Sequence, residues 1–379
     1  MKVFVDASRN RSGGAVEYLV GVFGSQETNE FDGTIFLYAP LSVLEKLHVD
    51  PKKIVKKTSW MIEGNLILQV LWQAFVVPYI LLRQNFDILF STDASTLSFF
   101  KNHVVMSQDM LSYEPGIMDL YKIGFRKFRI WLIYHIQNGA FRRAKGVIFL
   151  TEYARSTISE HCGELNNSTV IPHGVKKTTK VAVNRCLLKK ESNIELIYVS
   201  NAAPYKNQWN VIEAVGILRR EGFNVNLRLI GGGIGSAQIL TEESISRNDP
   251  DGKFITQYGY LQRNEVESLV RNSDVYIFAS SCENLPITLL EGMAVGLPVV
   301  SSSRGPMPEV LKNGGLYFDP AFPSEIANAL KDTIIDDNGR LFRRERSISI
   351  SENFTWQRTA ADTFHYLKTL RQPELNQDD

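Results

Sequence analysis

The chain has 379 residues, with 42 Lys and Arg against 41 Asp and Glu and a formal net charge of +1. Hydrophobic residues make up 44% of the sequence and charged residues 22%, which is the composition of a soluble globular protein. Disordered, collagen-like and disulfide-scaffold classes are therefore excluded, and the length predicts two or three domains. Because the charge is balanced, no nucleic-acid partner is expected.

The three cysteines, Cys162, Cys186 and Cys282, are odd in number and far apart in the sequence. This usage excludes a dense disulfide framework and a short-spaced metal knuckle, and it fits a reducing compartment. Residues 1–6 lack an apolar run long enough for a signal peptide and predict the first strand of a sheet. Both observations predict a cytoplasmic protein.

One segment conflicts with that location. The sequence between Gly64 and Arg83 carries no charge and is nearly as long as a membrane span. It contains Gln69, Gln73 and Pro78 and runs directly into a strand-like segment, which favours a buried helix. A membrane helix is the alternative.

Short apolar segments alternate with helical patterns along most of the chain, which is typical of buried parallel strands joined by helices. The predicted strands of the first half cover residues 3–7, 34–39, 87–91, 103–107 and 146–151. Those of the second half cover residues 195–200, 226–231, 255–258, 275–279, 298–302 and 315–318. Two such series predict an α/β protein with two Rossmann-like, doubly wound domains, and ligands at the carboxyl ends of the strands and in the cleft between the domains.

The domain limits follow from a polar, basic stretch at residues 176–192, which predicts the linker. The first domain then covers residues 1–175 and the second covers residues 193–354. Residues 355–371 have helical spacing and predict a helix that packs back on the first domain. Residues 372–379 predict a flexible acidic tail.

The strongest chemical signal is a loop and helix that follow a predicted strand. The strand ends near Ala279, and the helix begins after Pro286. Because the amides of a first helical turn lack backbone partners, they create a site for an anion such as a diphosphate. Glu283 in the loop and Glu291 on the helix can flank one ligand, since carboxylates accept hydrogen bonds from sugar or ribose hydroxyls. A capping role for Glu283, with Glu291 as a solvated helix residue, is the alternative.

This segment resembles the E-x7-E motif of retaining glycosyltransferase family 4, whose members have the two-domain GT-B fold. The resemblance covers most of the chain and includes a strand and loop that lead to Lys206. The other similar segments are residues 151–155, 170–174, 196–207, 226–233, 258–261 and 273–280. The ordered occurrence of so many segments is more specific than any one of them.

The resemblance implies transfer of a hexose or deoxyhexose from a nucleoside diphosphate sugar, with a GDP-sugar favoured, and retention of the anomeric configuration. Lys206 would neutralise the donor diphosphate, Glu283 would contact the donor sugar and Glu291 would hold the ribose hydroxyls. The other implied donor-binding residues are Gly13, Gly14, Asn201, Tyr258, Asn284, Leu285, Pro286, Ile287 and Thr288. A lysine and a helix N-terminus there would lower the barrier, because the leaving nucleoside diphosphate gains negative charge. No metal ion and no cofactor besides the donor are expected.

Two positions depart from the family pattern. Asn201 stands where many members carry an arginine that pairs with the lysine on the diphosphate, so one positive charge is missing. Gln108 stands where many carry a histidine before an aspartate, and glutamine cannot titrate. We therefore expect front-face attack, in which the acceptor hydroxyl gives its proton to the departing phosphate. Asp109 is a candidate catalytic residue that orients the acceptor or the sugar, with helix capping as the alternative.

Seven basic residues and no acidic residue lie between Asp119 and Glu152, interleaved with aromatic residues. As a helix, this segment combines a positive face with aromatic side chains, which is typical of segments attracted to anionic lipid. The predicted acceptor and membrane residues are Gln108, Arg126, Lys127, Arg129 and Trp131. The hypothesis is a polyprenyl diphosphate-linked glycan acceptor in O-antigen or related polysaccharide biosynthesis, at the cytoplasmic face of the inner membrane. A solvated basic face over an ordinary core is the alternative.

Rival functions fit smaller parts of the sequence. The glycines at residues 231–235 approximate a dinucleotide fingerprint, but Ser236 replaces the third glycine and no acidic residue closes a strand about 20 positions later. Asp249 and Asp251 form the D-x-D element that a metal-dependent glycosyltransferase needs, but they follow a helix and favour a turn. A nucleotide-sugar epimerase or phosphorylase on the same fold, or a non-catalytic sugar-binding protein, stays open.

Overall fold

The computed structural model describes residues 1–11, 13–121, 124–165, 167–176, 178–180, 188 and 192–370. The chain divides into two compact units, one formed by Met1–Gly174 with Phe354–Asp379 and the other by Val175–Asn353. Most of the predicted linker and all of the predicted tail lie outside the described residues, as does Cys186.

The first unit contains a seven-stranded parallel sheet. Its strands are β1 (Lys2–Asp6), β2 (Thr34–Tyr38), β3 (Ile54–Lys57), β4 (Ile88–Ser91), β5 (His103–Met106), β6 (Gly146–Phe149) and β7 (Ser168–Val170). The strand order is β3-β2-β1-β4-β5-β6-β7, so the order reverses between β1 and β4. The sequence pattern did not predict the edge strands β3 and β7, because their half-exposed residues do not form apolar runs.

The helices of the first unit cover both faces of this sheet. They are α1 (Gly14–Phe23), α2 (Gln26–Glu30), α3 (Leu41–Leu44), α4 (Trp60–Glu63), α5 (Leu66–Leu71), α6 (Val77–Gln84), α7 (Phe125–Arg143) and α8 (Glu152–Cys162), with α16 (Trp356–Thr369) from the C-terminal segment. A π-helical turn, Trp72–Val76, joins α5 to α6. Helix α16 packs on α1 and α2, where the ring of Phe364 lies 4.9 Å from the ring of Phe31.

The uncharged segment between Gly64 and Arg83 is helical but buried on one face only. Among the described residues, the continuous helix Leu66–Gln84 is the one long and apolar enough to cross a membrane, by length and composition alone. Only 28% of its most apolar 18-residue window is buried. Trp72 and Leu81 belong to the core, whereas the opposite face is exposed. The prediction of a buried helix is therefore wrong for most of this window. The two polar residues, Gln69 and Gln73, are buried while large apolar residues are exposed, which is the reverse of the usual pattern.

The second unit contains a six-stranded parallel sheet. Its strands are β8 (Ile194–Val199), β9 (Val225–Ile230), β10 (Ile255–Tyr258), β11 (Val275–Phe278), β12 (Val299–Ser302) and β13 (Gly315–Phe318). The helices are α9 (Gln208–Arg220), α10 (Ser236–Asn248), α11 (Arg263–Arg271), α12 (Ile287–Val295), α13 (Met307–Leu311), α14 (Pro323–Ile335) and α15 (Asp337–Ser351). The order β10-β9-β8-β11-β12-β13 reverses between β8 and β11. Two parallel sheets with interleaved helices confirm the predicted α/β class with two doubly wound units.

Candidate active site

The candidate site of the second unit lies where its strand order reverses. Connections from β8 and β11 leave toward opposite sides of such a sheet, which opens a crevice at the carboxyl ends of these two strands. Lys206 ends a short 3-10 turn, Pro204–Lys206, that follows β8. Glu283 lies in the loop that follows β11. The topology therefore brings two residues that are distant in the sequence to one crevice.

Lys206 and Glu283 form an ion pair between Nζ and Oε1. The two side chains expose only 13% and 17% of their surface, so water screens this pair less than it screens a surface pair. The Lys206 ammonium also lies 5.3 Å from the ring centroid of Tyr205 and 5.8 Å from that of Phe278. The structure therefore places the predicted diphosphate-binding cation against the predicted sugar-binding carboxylate.

Asn207 connects the two loops that carry this ion pair. Its side-chain amide donates to the carbonyl oxygen of Ala279 at 2.9 Å and to the hydroxyl oxygen of Ser281 at 3.0 Å. The amide of Ser281 in turn donates to the carbonyl oxygen of Tyr205 at 2.8 Å. Asn207 has a left-handed backbone, with φ of 52°, a conformation that asparagine tolerates better than most residues. No role for Asn207 was predicted from the sequence, although an asparagine just before a helix indicates a left-handed backbone.

The first turn of α12 follows the loop of Glu283 directly. No side chain caps this helix, because Pro286 precedes Ile287 and offers no side-chain acceptor. The amides of the first turn therefore have no side-chain partner from the cap position, and the helix dipole adds partial positive charge there. The uncapped start of α12 therefore lies beside the loop of Glu283, where the sequence predicted that residues Leu285 to Thr288 bind the donor; that role stays a prediction, and Pro286 contributes no amide hydrogen to it.

Glu291 lies on the second turn of α12, half exposed, and has a different neighbour. Its carboxylate is 3.5 Å from the guanidinium of Arg263, the first residue of α11. Arg263 also lies 3.3 Å from Glu267 one turn further along α11. The contact of Arg263 with Glu291 was not predicted from the sequence, because only the fold brings α11 beside α12. Glu291 therefore lies on the same helix as the uncapped first turn, and its charged neighbour comes from the adjacent helix α11.

Two further predicted donor residues lie at or near the glycine turn after β9. Gly231 has φ of +97°, and a Cβ there would lie 2.6 Å from the carbonyl oxygen of Ser200, so the turn packs against the loop of Asn201. Asn201 itself is exposed. Tyr258 ends the edge strand β10, and its carbonyl oxygen accepts a hydrogen bond from the Gly231 amide at 3.2 Å. Asn201 therefore lies beside the crevice, whereas Tyr258 is two strands away from β8.

In the first unit, the glycine pair begins α1 at the carboxyl end of β1. Gly13 has φ of 63° and carries no side chain to cap the helix that Gly14 begins. Nearby, Arg9 lies 3.7 Å from Asp93. Arg11 donates to two backbone carbonyl oxygens at 2.7 and 2.8 Å. Both arginines therefore bind other loops of their own unit.

A buried carboxylate that the sequence did not single out supports the same loop. Asp6, the last residue of β1, accepts hydrogen bonds from the Ser8 amide at 3.2 Å and from the Gln73 side chain at 3.1 Å. Burial raises the pKa of Asp6 above its ordinary value. Because Asp6 anchors the start of this loop, it fixes the backbone that leads to Gly13.

The predicted acceptor residues occupy two elements of the first unit. The Asp109 carboxylate accepts a hydrogen bond from the Leu111 amide at 2.9 Å, which is a local turn contact, and desolvation raises the pKa of this carboxyl. The Gln108 side chain donates to the Met106 sulfur at 3.4 Å. The remaining predicted residues, Arg126, Lys127, Arg129 and Trp131, lie on α7. Lys127 is 3.7 Å from Asp119, and Lys122 lies outside the described residues.

The D-x-D element forms a turn. The Asp249 carboxylate accepts hydrogen bonds from the amides of Lys253, Phe254 and Ile255 at 2.7 to 2.8 Å. Across the part of the chain that the structure describes, no cluster of three or more His, Cys, Asp or Glu side chains is arranged to hold a metal ion.

Comparison with known proteins supports the sequence resemblance. Residues 184–349 match the model of the glycosyl transferases group 1 family. The chain is 24% identical over 174 residues to the O-antigen chain mannosyltransferase B of Escherichia coli. This alignment covers 46% of this chain and 45% of that protein. The chain spans about half the length of the curated relatives it matches.

Solved structures match over nearly the whole chain. Sucrose-phosphate synthase from Thermosynechococcus elongatus aligns with a TM-score of 0.76 and 13% identity, covering 97% of this chain and 98% of that one. Anabaena HepE in complex with UDP-glucose aligns with a TM-score of 0.71 and 18% identity, covering 97% and 99%. These matches confirm the GT-B fold, and the family match over residues 184–349 together with the curated relatives confirms the resemblance to glycosyltransferases.

Proposed function

We propose that this chain is a glycosyltransferase that moves a hexose or deoxyhexose from a nucleoside diphosphate sugar to a hydroxyl group of a glycan. The observation that carries the proposal is the Lys206–Glu283 ion pair beside the uncapped first turn of α12, at the reversal point of a doubly wound sheet. The crevice thus combines a cation and helix amides with a carboxylate that accepts sugar hydroxyls. The family match includes this whole segment.

In the proposed reaction, the bond between the anomeric carbon and the diphosphate oxygen breaks, and a bond to the acceptor oxygen forms on the same face of the sugar. Because the new bond forms on the face from which the diphosphate departs, the configuration is retained. The acceptor proton passes to the departing phosphate oxygen, so no protein base is required. Negative charge develops on the nucleoside diphosphate as the bond breaks. Lys206 and the α12 amides stabilise this charge without a metal ion or a cofactor.

We assign the donor contacts by position. Glu283 contacts the sugar hydroxyls from the loop, and Glu291 accepts hydrogen bonds from the ribose hydroxyls on the second turn of α12. The contact of Glu291 with Arg263 at 3.5 Å holds this carboxylate beside α11, on the same helix as the proposed diphosphate site. A GDP-sugar is the first donor to test, since one relative is named as a GDP-mannose-dependent mannosyltransferase, whereas a structural neighbour was solved with UDP-glucose.

We propose a polyprenyl diphosphate-linked glycan as the acceptor, used at the cytoplasmic face of the inner membrane. The basic and aromatic residues of α7 support this class, because an acceptor of this kind carries a diphosphate and an apolar chain. The Escherichia coli relative is named for the O-antigen chain, so a glycan of O-antigen or a related polysaccharide is the first acceptor to test.

Thermal-shift measurements with GDP, UDP and dTDP test the donor site. We expect one nucleotide to stabilise the protein, and we expect Lys206→Ala to remove that shift. Release of the same nucleotide from its sugar, dependent on added acceptor glycan, then tests transfer. A shift without release contradicts catalysis and supports a sugar-binding protein, whereas the absence of both contradicts the assigned site.

A further inference from the structure

The outer face of the helix Leu66–Gln84 is an exposed apolar stripe. Its members recur every three or four residues, at Ile67, Leu71, Phe75, Tyr79 and Leu82. Ile67 and Phe75 each expose 69% of their surface, and Leu82 exposes 79%. Large apolar side chains aligned in this way are costly in water, so a contiguous stripe marks a surface that another apolar phase covers.

The inner face of the same helix is fixed to the sheet. The Gln73 side chain donates to the Asp6 carboxylate at 3.1 Å, and the Ser98 hydroxyl donates to the Gln73 carbonyl at 3.0 Å. Trp72, Val77 and Leu81 pack into the core with residues of β1, β2 and β4. Because these contacts bury polar groups of the folded unit, the helix cannot leave the sheet to span a bilayer. It can only lie along a surface.

Helix α7 lies on the same side of the sheet as this stripe. By the register of β4, β5 and β6, the side chains of Leu89, His103 and Phe149 point to one face. Leu89 belongs to the core beneath Leu66–Gln84, and the ring of Phe149 lies 5.8 Å from that of Phe141 on α7. The exposed aromatic residues of α7, Phe125, Phe128 and Trp131, therefore lie on the same side of the sheet as the stripe, and neither helix contains an acidic residue.

A cavity of about 520 Å³ opens between the two helices. Its walls are apolar, with Leu82 on α6 and Phe99 on the segment before β5, and its charged side chains are Lys101 and Arg143. The Arg143 guanidinium lies 4.6 Å from the Phe99 ring centroid. An apolar wall with two cations at one site fits a molecule with an acyl chain and a phosphate.

We propose that this face binds an anionic phospholipid bilayer. The stripe and the α7 aromatics enter the region between headgroups and acyl chains, and Lys101 and Arg143 bind a lipid phosphate at the cavity. This inference extends the proposed function by naming the surface that meets the membrane. It rests on contacts of the first unit, so it is tested without measuring glycosyl transfer.

Flotation with phosphatidylcholine vesicles, with and without phosphatidylglycerol, is the test. We expect the protein to float with phosphatidylglycerol vesicles and much less with phosphatidylcholine alone. The double variant Ile67→Ser with Phe75→Ser should lower the partition coefficient roughly tenfold or more, since two apolar side chains no longer enter the lipid. Phe342→Ser is the matched control, because Phe342 is a similarly exposed phenylalanine of the second unit and should not affect flotation.

The charge variant Lys101→Gln with Arg143→Gln should reduce the preference for phosphatidylglycerol, since Arg126, Lys127 and Arg129 of α7 remain, and should leave binding to phosphatidylcholine unchanged. Circular dichroism and the nucleotide-induced thermal shift show that each variant is folded and that its donor site is intact. Indifference of the unmodified protein to anionic vesicles would overturn the inference. Self-association that Phe75→Ser abolishes, without vesicle binding, would also overturn it and identify a second copy as the occupant.

Discussion

Lys206 and Glu283 form a shielded ion pair although 77 positions separate them in the sequence. The sheet brings their loops together, and the Asn207 amide holds those loops to each other. A charged group that is already oriented costs little reorganisation when negative charge develops beside it. We therefore regard Glu283 as the group that keeps the Lys206 ammonium in the crevice until a diphosphate binds.

Replacing Lys206 with alanine should lower kcat/KM for transfer at least about tenfold, which corresponds to about 1.4 kcal/mol of lost stabilisation. The reason is that a diphosphate would then meet the Glu283 carboxylate without its neutralising cation. In the double variant with Glu283→Gln, the loss should be smaller than the sum of the two single losses, because the residues act as a pair.

The matched control is Lys331→Ala. Lys331 also pairs with a glutamate of the second unit, Glu221, at 2.7 Å, but both side chains are 40% exposed. Such a surface pair contributes little, so activity should be unchanged. Equal rates for Lys206→Ala and Lys331→Ala would contradict the donor-site assignment.

Substitution of Asn207 tests whether transfer depends on the hydrogen bonds that join the loops of Lys206 and Glu283. Asn207→Ala loses the side-chain hydrogen bonds and adopts a left-handed backbone unfavourably, so we expect a loss of about 3 kcal/mol in unfolding free energy. Asn207→Gly keeps the backbone freedom and should lose less stability, while its transfer rate still falls. Asn85→Gly is the control, because Asn85 has φ of 48° in the first unit and joins no site loops. Normal transfer by Asn207→Gly would show that the loops do not depend on this residue.

The apolar runs of the strands and the start of α12 could be predicted from the sequence, because burial on both faces and a helix boundary leave local signals. The position of Lys206 was predictable only through the family resemblance, since an isolated loop lysine carries no such signal. The contact of Arg263 with Glu291 was not predictable, because it depends on how two helices pack. The exposed stripe of Leu66–Gln84 was not predictable either, because its glutamines Gln69 and Gln73 are buried while its large apolar residues are exposed, which is the reverse of the usual periodicity.

Glu291 and Glu267 both pair with Arg263, at 3.5 and 3.3 Å, which makes them a matched pair of test positions. Only Glu291 lies on the helix whose first turn is assigned to the diphosphate. Glu291→Ala should therefore weaken nucleotide binding roughly tenfold, as expected for loss of charge-assisted hydrogen bonds to ribose. Glu267→Ala should leave the nucleotide Kd unchanged, as measured by calorimetry. If Glu267→Ala weakened nucleotide binding more than Glu291→Ala, the ribose would be assigned to α11 instead of α12.

Transfer should persist in excess EDTA. The proposed charge stabilisation comes from Lys206 and the α12 amides, which a chelator does not remove. Initial rates with and without EDTA, in protein dialysed against chelator, provide the measurement. A rate that collapses and returns with added Mg²⁺ or Mn²⁺ would contradict the metal-independent mechanism.

The first unit should lose stability in mild acid because of a buried histidine. His173 packs between Tyr18 and Trp356, with ring centroids 4.9 and 5.7 Å away, and neither of its ring nitrogens has a hydrogen-bond partner among the described residues. Burial lowers the pKa of His173 from 6.5 to about 3. Below pH 6.5, His173 is protonated in the unfolded chain but stays neutral in the folded unit. The free energy of unfolding therefore falls as the pH drops from 6.5 toward 3.

At about pH 5, this difference in proton uptake should cost about 2 kcal/mol relative to neutral pH. His173→Phe removes the titrating group and retains a ring between Tyr18 and Trp356, so its urea midpoint should change less between pH 7 and pH 5 than that of the unmodified protein. His365→Gln, at an exposed position of α16, should retain the original pH dependence. An unchanged acid sensitivity in His173→Phe would mean that another group, such as the buried His103, controls it.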